Sequence, residues 1–258
     1  GYASFPLVLA ASAIGWLWGC RVAVLEQNVL PGLTNRILGR VASRVFAAFP
    51  GAEKVFGQSK VLLTGNPIRS TMKPLPPASR KPFTVFVFGG SQGAMGINTL
   101  VIESLPELKA LGTEVRWIHQ TGERDFDRVK AAHVGAGTQG RVEKFIYEML
   151  EAYAQADLLI CRAGSSTLAE VAAVGRAAVL VPLVSRDRHQ VYNAELFANS
   201  GAAEMKIQTQ TSGKELAVLI DSLSREPSRL SQMEAAVKQF YRPDAVSRVV
   251  GELEVSHA

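Results

Sequence analysis

Short apolar runs alternate with helix-like segments along most of the chain, and this alternation predicts the fold class. The clearest runs are almost entirely apolar: residues 83–88 read FTVFVF, residues 157–161 read DLLIC and residues 177–182 read AAVLVP. Strands that are apolar on both faces are typical of parallel sheets covered by helices on both sides. The remaining predicted strands are residues 21–26, 44–48, 60–63 and 114–119. The sequence therefore predicts an α/β protein with parallel sheets.

A proline-rich segment divides the predicted strands into two groups. Residues 66–82, NPIRSTMKPLPPASRKP, hold five of the 12 prolines. Proline fixes φ and removes a backbone donor, so this segment cannot continue a sheet and is predicted to be a linker. We expect residues 1–66 to be the carboxyl-terminal part of a first domain, 67–82 the linker, 83–241 a complete second domain and 242–258 a final amphipathic helix. The first part has room for about three strands, too few for an independent doubly wound domain, so we expect an incomplete domain there.

The uncharged stretch at residues 5–20, FPLVLAASAIGWLWGC, allows two structural interpretations. It is apolar enough to raise the question of a membrane span, but a buried helix that leads into the first strand is favoured. If the first domain lacks some of its strands, apolar side chains of this stretch are expected to lie exposed: Leu7, Leu9, Ile14, Trp16 and Trp18.

Composition and charge exclude several classes of protein. With 47% hydrophobic and 20% charged residues, the chain is neither disordered, collagen-like nor a coiled coil. Cys20 and Cys161 are too far apart in sequence to suggest a disulfide framework or a cysteine zinc site. His119 and His189 have no third ligand at a suitable spacing, so no metal site is predicted. The net charge of +5 favours anionic partners, among them nucleotides, phospholipids and nucleic acid.

The segment GGSQGA at residues 89–94 directly follows a predicted strand and precedes a predicted helix. Glycines let backbone amides approach an anion, and a helix amino terminus adds unpaired N–H groups. The loop matches neither GxGxxG nor the P-loop pattern. It is therefore either a phosphate-binding loop or a tight turn between strand and helix.

A second polar loop, RAGSSTLAE at residues 162–170, follows another predicted strand. Its hydroxyls and amides are able to bind a diphosphate, or simply to cap the helix that follows. Glu170, one turn into that helix, is able to accept hydrogen bonds from a vicinal diol such as a ribose, or to interact with the helix dipole. Because loops that follow strands of one parallel sheet meet at its carboxyl edge, ligand binding is favoured over capping.

Two further polar side chains are candidates for ligand contact. Gln190 lies in the loop after the strand at 177–182, where its side chain is able to hydrogen-bond a sugar hydroxyl. Arg69 lies at the linker, where it is able to bring a cation to a phosphate. For both residues the alternative is an ordinary solvated surface position.

Seven motifs in a fixed order resemble a known family. They are EQN at 26–28, PGLTN at 31–35, GNPIR at 65–69, GGSQGA at 89–94, WIHQTG at 117–122, RAGSSTLAE at 162–170 and DRHQVYNA at 187–194. Together they closely resemble the MurG family of bacterial cell-wall N-acetylglucosaminyltransferases, and the resemblance covers nearly the whole chain. It implies a glycosyltransferase-B type fold with two Rossmann-like domains, in which the second domain holds most of the nucleotide sugar.

The resemblance also implies a reaction and its partners. The enzyme would be an inverting glycosyltransferase that moves N-acetylglucosamine from UDP-GlcNAc to lipid I, the undecaprenyl-pyrophosphoryl-N-acetylmuramyl-pentapeptide, to form lipid II in peptidoglycan synthesis. The implied partners are UDP-GlcNAc, lipid I and the anionic surface of the inner membrane, with no nucleic acid, no cofactor and no metal. The implied location is peripheral, on the cytoplasmic face of that membrane.

Position by position, the resemblance implies a donor site built from both sides of the linker. Glu170 would hold the ribose, Gln92 would lie close to the diphosphate and Gln190 would lie near the sugar. The full set of implied substrate-binding residues is Asn28, Arg69, Ser91, Gln92, Ile146, Ser165, Ser166, Thr167, Leu168, Ala169, Glu170 and Gln190.

The sequence departs from the family pattern at its beginning and at two internal positions. The family's amino-terminal GxGGH loop, with its proposed catalytic histidine, has no counterpart, and GYASFP stands where the family has GGYxSGP. Leu25 and His189 replace the usual histidine and glutamine. We therefore expect an N-terminally truncated chain that binds the donor, and we assign no catalytic residue.

Two alternatives share the same cleft. An enzyme like UDP-GlcNAc 2-epimerase would act on the donor alone, and a non-catalytic UDP-sugar-binding module would bind it without turnover.

Overall fold

Two parallel sheets organise residues 5–255, the part of the chain that the computed structural model describes. The first sheet has three strands in the order β1-β2-β3, and the second has six strands in the order β6-β5-β4-β7-β8-β9. Every strand pair in both sheets is parallel. These sheets confirm the predicted fold class, an α/β protein with Rossmann-like parallel sheets.

The elements of the first part follow one another closely along the chain. They are α1 (Phe5–Leu17), β1 (Ala23–Glu26), α2 (Leu33–Val41), β2 (Arg44–Ala47), α3 (Glu53–Phe56) and β3 (Val61–Leu63). The strands of the second part are β4 (Thr84–Phe88), β5 (Arg116–Gln120), β6 (Gln139–Glu143), β7 (Leu158–Cys161), β8 (Ala177–Leu180) and β9 (Ala203–Met205). Its helices are α4 (Met95–Ala110), α5 (Phe126–Ala136), α6 (Met149–Gln155), α7 (Ser165–Val174), α8 (His189–Asn199), α9 (Gly213–Arg225), α10 (Pro227–Lys238) and α11 (Ala245–Val255).

The second sheet is covered on both faces, which explains its continuous apolar strands. In β7, Leu158 and Ile160 face one buried cluster, while Leu159 and Cys161 face another. The strand order places β4 beside β7, with the chain winding outward from this pair in both directions. Ligands of open parallel sheets bind outside the carboxyl ends of the strands at such a switch point.

The two sheets share one hydrophobic cluster. Phe49, just after β2, lies edge-on to Phe197 of α8 at a ring distance of 5.7 Å, and Phe197 stacks on Phe240 at 4.3 Å. The carboxyl end of β2 therefore points toward α8, and the carboxyl edges of the two sheets face each other across a cleft. Arg44 of β2 also bonds to Glu252 of α11 at 2.5 Å, so the last helix contacts the first sheet.

The proline-rich segment forms neither a strand nor a helix at residues 66–82, and it packs along the second sheet. The backbone amide of Arg80 donates to the Asp157 carboxylate at 2.8 Å. The buried guanidinium of Arg176 donates to the Pro76 carbonyl, also at 2.8 Å. The segment is thus fixed to the second domain by polar contacts.

Several sequence expectations need correction. The favoured buried helix is wrong for the described side chains at the end of α1 and just after it, because Trp16 is 56% exposed and Trp18 is 84% exposed. The exposure expected of an incomplete first domain is found for Ile14, Trp16 and Trp18, whereas the side chains of Leu7 and Leu9 lie outside the described residues. Strands β6 and β9 were not predicted. Within the described residues, no helix has the length and hydropathy needed to cross a membrane.

Candidate functional site

Two strand-to-helix loops meet at the switch point of the second sheet. Strand β4 ends at Phe88 and α4 begins at Met95, so the GGSQGA segment forms the first loop. Strand β7 ends at Cys161 and α7 begins at Ser165, which makes residues 162–164 the second loop. Because Phe88 pairs with Cys161 in the sheet register, the two loops leave the sheet side by side.

The glycine-rich loop needs glycine where it folds back on the end of β5. Gly93 has φ +74°, and a Cβ at this position would collide with the Thr121 carbonyl. The same carbonyl accepts a hydrogen bond from Asn98 Nδ2 at 3.0 Å, which fixes it beneath the loop. The loop tip is open, since Ser91 and Gln92 are exposed.

Both helices at the switch point begin without a side-chain cap. The N-cap residues are Ala94 for α4 and Gly164 for α7, and neither helix start receives a side-chain capping bond. The capping interpretation of the second loop is therefore wrong, because the hydroxyls of residues 165–167 do not cap α7. By contrast, α9 has a complete capping box between Ser212 and Glu215. The amino ends of α4 and α7 thus present free amides and partial positive charge to the cleft.

Glu170 lies one turn into α7 and is only partly exposed. Its Oε2 accepts a hydrogen bond from the hydroxyl of buried Tyr153 at 3.0 Å. Burial raises the pKa of the Glu170 carboxyl above its ordinary value, while the Tyr153 hydrogen bond and the positive charge of Arg69 act in the opposite direction. Arg69 is therefore near enough to Glu170 to interact with it electrostatically across the cleft.

Gln120, at the end of β5, connects two loops of the site. Its Nε2 donates to the Gly90 carbonyl at 2.9 Å, and its Oε1 accepts from the Ile146 amide at 2.8 Å. The side chain is only 3% exposed. Gln120 thus holds the glycine-rich loop and the loop before α6 at a fixed distance. This role was not predicted from the sequence, where the signals were the position of Gln120 just after a predicted strand and its place in the WIHQTG motif.

A second buried amide, that of Asn193 in α8, joins the two sides of the cleft. Asn193 Nδ2 donates to Asn28 Oδ1 and to the Ala163 carbonyl, both at 3.1 Å, and Asn193 Oδ1 accepts from the Val29 amide at 3.0 Å. Asn28, which follows β1, is thereby brought to the loop after β7. Asn193 lies in the DRHQVYNA motif but was not among the site residues predicted from the sequence.

The remaining predicted residues lie around the same cleft. Gln190, in the first turn of α8, accepts a hydrogen bond from the Leu183 amide at 3.0 Å, which positions its side chain beside the loop after β8. Three members of the predicted set are apolar: Ile146 and Leu168 are buried, and Ala169 is partly buried. Within the described residues, no group of three His, Cys, Asp or Glu side chains is arranged to hold a metal ion.

The predicted positions therefore form three groups in space. The first lies at the paired loops of the switch point and contains Ser91, Gln92, Ser165, Ser166, Thr167, Leu168, Ala169 and Glu170. The second is the loop before α6, with Ile146, tied to the first through Gln120. The third faces them across the cleft or from α8, and it contains Asn28, Arg69 and Gln190.

Comparison with known proteins places this arrangement among glycosyltransferases. Residues 84–249 match the domain family described as the glycosyltransferase family 28 C-terminal domain. The chain is 43% identical over 254 residues to the UDP-N-acetylglucosamine–N-acetylmuramyl-(pentapeptide) pyrophosphoryl-undecaprenol N-acetylglucosamine transferase of Syntrophus aciditrophicus. This match covers 97% of the chain and 69% of that relative.

Solved structures show the same likeness. The crystal structure of Acinetobacter baumannii MurG superimposes with a TM-score of 0.82 at 34% identity, covering 98% of this chain and 72% of that one. A putative UDP-N-acetylglucosamine 2-epimerase from Listeria monocytogenes reaches a TM-score of 0.64 at 10% identity, covering 96% of this chain and 71% of that one. The second likeness shows a shared fold only, so the epimerase alternative is not favoured.

Proposed function

This chain belongs to the MurG family, the UDP-N-acetylglucosamine–N-acetylmuramyl-(pentapeptide) pyrophosphoryl-undecaprenol N-acetylglucosamine transferases, and we propose that it serves the reaction which that name describes. The donor is UDP-GlcNAc, and the acceptor is lipid I, which becomes lipid II. The observation that carries the proposal is the 43% identity over 97% of the chain to such a transferase.

The geometry at the switch point supports the donor half of this proposal. Two uncapped helix starts and a glycine-rich loop surround the place where a diphosphate would lie, and such groups stabilise phosphate charge. Glu170 offers a carboxylate to the ribose, and Ile146 lies in the loop that would meet the base. Asn28 and Gln190 approach the remaining side of the cleft, where the sugar would lie.

The first experiment separates donor binding from transfer. We would titrate the chain calorimetrically with UDP-GlcNAc, UDP-glucose and UDP without added metal, and then assay transfer of labelled N-acetylglucosamine to lipid I. We expect preferential binding of the N-acetylated donor. A folded chain that binds none of the three nucleotides would refute the donor site, while binding without transfer would restrict the proposal to donor recognition.

We also propose that the first domain docks on an anionic membrane surface. An apolar patch lies exposed on α1, the turn after it, and α2, formed by Ile14, Trp16, Leu17, Trp18, Leu33, Ile37 and Val41. Beside it is a groove of about 440 Å³ lined by Arg36, Gly39, Arg40, Val55, Phe56 and Lys60. Apolar side chains next to cations are the combination that anionic lipid surfaces attract. This would place the protein peripherally on the cytoplasmic face of the inner membrane, where lipid I would be reached.

Vesicle binding tests this second proposal. We expect vesicles containing phosphatidylglycerol to bind the chain more tightly than neutral vesicles, and the double variant Trp16→Ser/Trp18→Ser to lose most of the binding. The control is Val134→Ser, which removes an apolar side chain that is 72% exposed on α5 of the second domain. Equal binding to neutral and anionic vesicles would remove the electrostatic part of the proposal. An equal loss of vesicle binding in the double variant and in the control would show that the apolar patch is not the docking surface.

A further inference from the structure

Tyr153 is a buried tyrosine of α6 whose position is fixed at both ends. Its ring is 0% exposed and packs edge-on against Phe86 and Phe88, with ring centroids 5.6 and 5.7 Å away. Its backbone carbonyl accepts a hydrogen bond from Arg176 Nε at 3.1 Å. Its hydroxyl therefore points in one direction, and the group that it meets there is the Glu170 carboxylate of α7.

The Tyr153 hydroxyl is a permanent donor to this carboxylate. Burial and the nearby Glu170 charge raise the pKa of Tyr153 well above its ordinary value, so the phenol keeps its proton. Within the described part of the chain, the hydrogen bond from Tyr153 to Oε2 is the one that Glu170 receives. A carboxylate has about four acceptor positions, so Oε1 and part of Oε2 remain available.

From this geometry we infer that Tyr153 is a positioning residue for nucleotide recognition: it holds the Glu170 carboxylate in the rotamer that accepts the 2′- and 3′-hydroxyls of a ribose. The inference rests on the proposed function, because it takes the ligand to be a uridine nucleotide. A half-buried carboxylate with one neutral donor is poorly satisfied without a ligand, and a vicinal diol supplies two more donors. Without the phenol, the carboxylate would be free to rotate away from the diol.

Discrimination between ribose and deoxyribose measures this role directly. We would titrate the chain and Tyr153→Phe with UDP, 2′-deoxy-UDP and 3′-deoxy-UDP. The unaltered chain should prefer UDP over each deoxynucleotide by about tenfold, the effect of one hydrogen bond to a charged group. In Tyr153→Phe this preference should fall below about threefold, with little change in the affinity for the deoxynucleotides.

A double-mutant cycle distinguishes positioning from a general loss of structure. Glu170→Ala removes the carboxylate that Tyr153 orients, so Tyr153→Phe should have almost no additional effect on ribose discrimination in that background. Tyr241→Phe is the matched control, because it deletes a phenol hydroxyl from the segment between α10 and α11. Thermal unfolding of every variant reports whether packing around Phe86 and Phe88 is retained.

The outcomes separate this inference from the function on which it rests. If the folded, unaltered chain binds no uridine nucleotide, the proposed donor site fails. If it binds UDP with ribose discrimination that Tyr153→Phe retains, the positioning role fails and the donor site stands. Equal weakening of UDP and both deoxynucleotides by Tyr153→Phe, or independent effects of the two substitutions in the cycle, would also overturn the positioning role.

Discussion

At the scale of single residues, the site depends on polar groups whose partners inside the protein are incomplete. Glu170 is the clearest case, because its pKa is raised by burial and only Tyr153 donates a hydrogen bond to it among the described residues. Gln120 and Asn193 are the opposite case, since their amides bond at both ends to parts of the protein. We infer that the first kind of residue meets the ligand and the second kind holds the loops that surround it.

Replacing Glu170 with alanine should weaken UDP binding without unfolding the second domain. Loss of hydrogen bonds to a charged group corresponds to about 1.5–3 kcal/mol, or a rise in the dissociation constant of roughly 10- to 150-fold. Isothermal calorimetry with UDP measures the change. Glu151→Ala on the exposed side of α6 is the control, because it removes a carboxylate outside the cleft. An unchanged dissociation constant for UDP in Glu170→Ala would show that Glu170 does not contact the ribose.

At the scale of elements, the decisive feature is how β4 turns into α4. Gly93 has a positive φ and lies against the Thr121 carbonyl, whereas Gly112 has a positive φ of 69° and open space, with nothing within 4 Å of where a Cβ would lie. The two glycines therefore separate the cost of a left-handed backbone from the cost of a steric collision. Only the first of them belongs to the glycine-rich loop.

We expect Gly93→Ala to reduce UDP affinity by more than about tenfold, because the loop must move away from Thr121 to make room for the new methyl group. Gly112→Ala should cost about 1–2 kcal/mol of stability, because alanine disfavours the left-handed region, and should leave UDP binding unchanged. Calorimetry and urea unfolding of both variants test the pair. Normal UDP affinity in Gly93→Ala would show that the tight loop is not needed for the ligand.

A buried polar network supports the same loop from behind. His119 Nε2 bonds to Asn98 Oδ1 at 3.0 Å, and His119 Nδ1 bonds to His133 Nε2 at 3.1 Å. Burial lowers the pKa of His119 to about 3 and that of His133 to about 4. Both imidazoles are therefore neutral in the folded protein, while in an unfolded chain they take up protons near the ordinary histidine pKa of 6.5.

This network predicts a loss of stability in acid. Below pH 6.5 the unfolded state binds protons that the folded state does not, so the free energy of unfolding falls as pH decreases toward about 4. Two such histidines add a slope of up to about 2.7 kcal/mol per pH unit. Urea unfolding at pH 7.5, 6 and 5 should show a smaller slope for His133→Gln than for the unaltered chain. If the free energy of unfolding depended on pH equally in both proteins, buried neutral His133 would not contribute to the acid sensitivity.

How much of this was predictable differs from element to element. The buried strand β4 was predicted to within one residue because four of its five residues are apolar, whereas β6 was missed because its sequence, QGRVE, is largely polar. The switch-point loops were located because polar residues follow buried strands. Tyr153 and Gln120 were missed because their roles depend on partners 17 and 26 residues away, which no local spacing reveals.

At the scale of the whole molecule, the two sheets are joined by an apolar contact and by one buried amide. Phe49 and Phe197 supply the apolar contact, and Asn193 supplies the polar one. Asn193 is 0% exposed and contacts both Asn28 of the first part and Ala163 of the second. It therefore links the side of the cleft expected to meet the sugar with the side expected to meet the diphosphate.

Removing this amide should uncouple the two sides. Asn193→Ala leaves the Val29 amide and the Ala163 carbonyl without their present partner, which costs about 1–3 kcal/mol for each buried group. Hydrogen–deuterium exchange should then accelerate in β1 and the loop after it, while β4 and β7 stay protected. UDP, held mainly by the second domain in this proposal, should bind with nearly unchanged affinity.

Two comparison variants separate the parts of this contact. Asn193→Asp keeps an acceptor for the Val29 amide but loses the donors to Asn28 and Ala163. It also places a buried carboxylate against the Ala163 carbonyl, so we expect exchange in β1 at least as fast as in Asn193→Ala. Asn199→Ala, at the exposed end of α8, should behave like the unaltered chain. If Asn193→Ala leaves exchange in β1 unchanged, the contacts other than the Asn193 amide, with Phe49–Phe197 among them, are enough to hold the sheets together. The cleft would then owe its shape to apolar packing, and the polar bridge would serve only to orient Asn28.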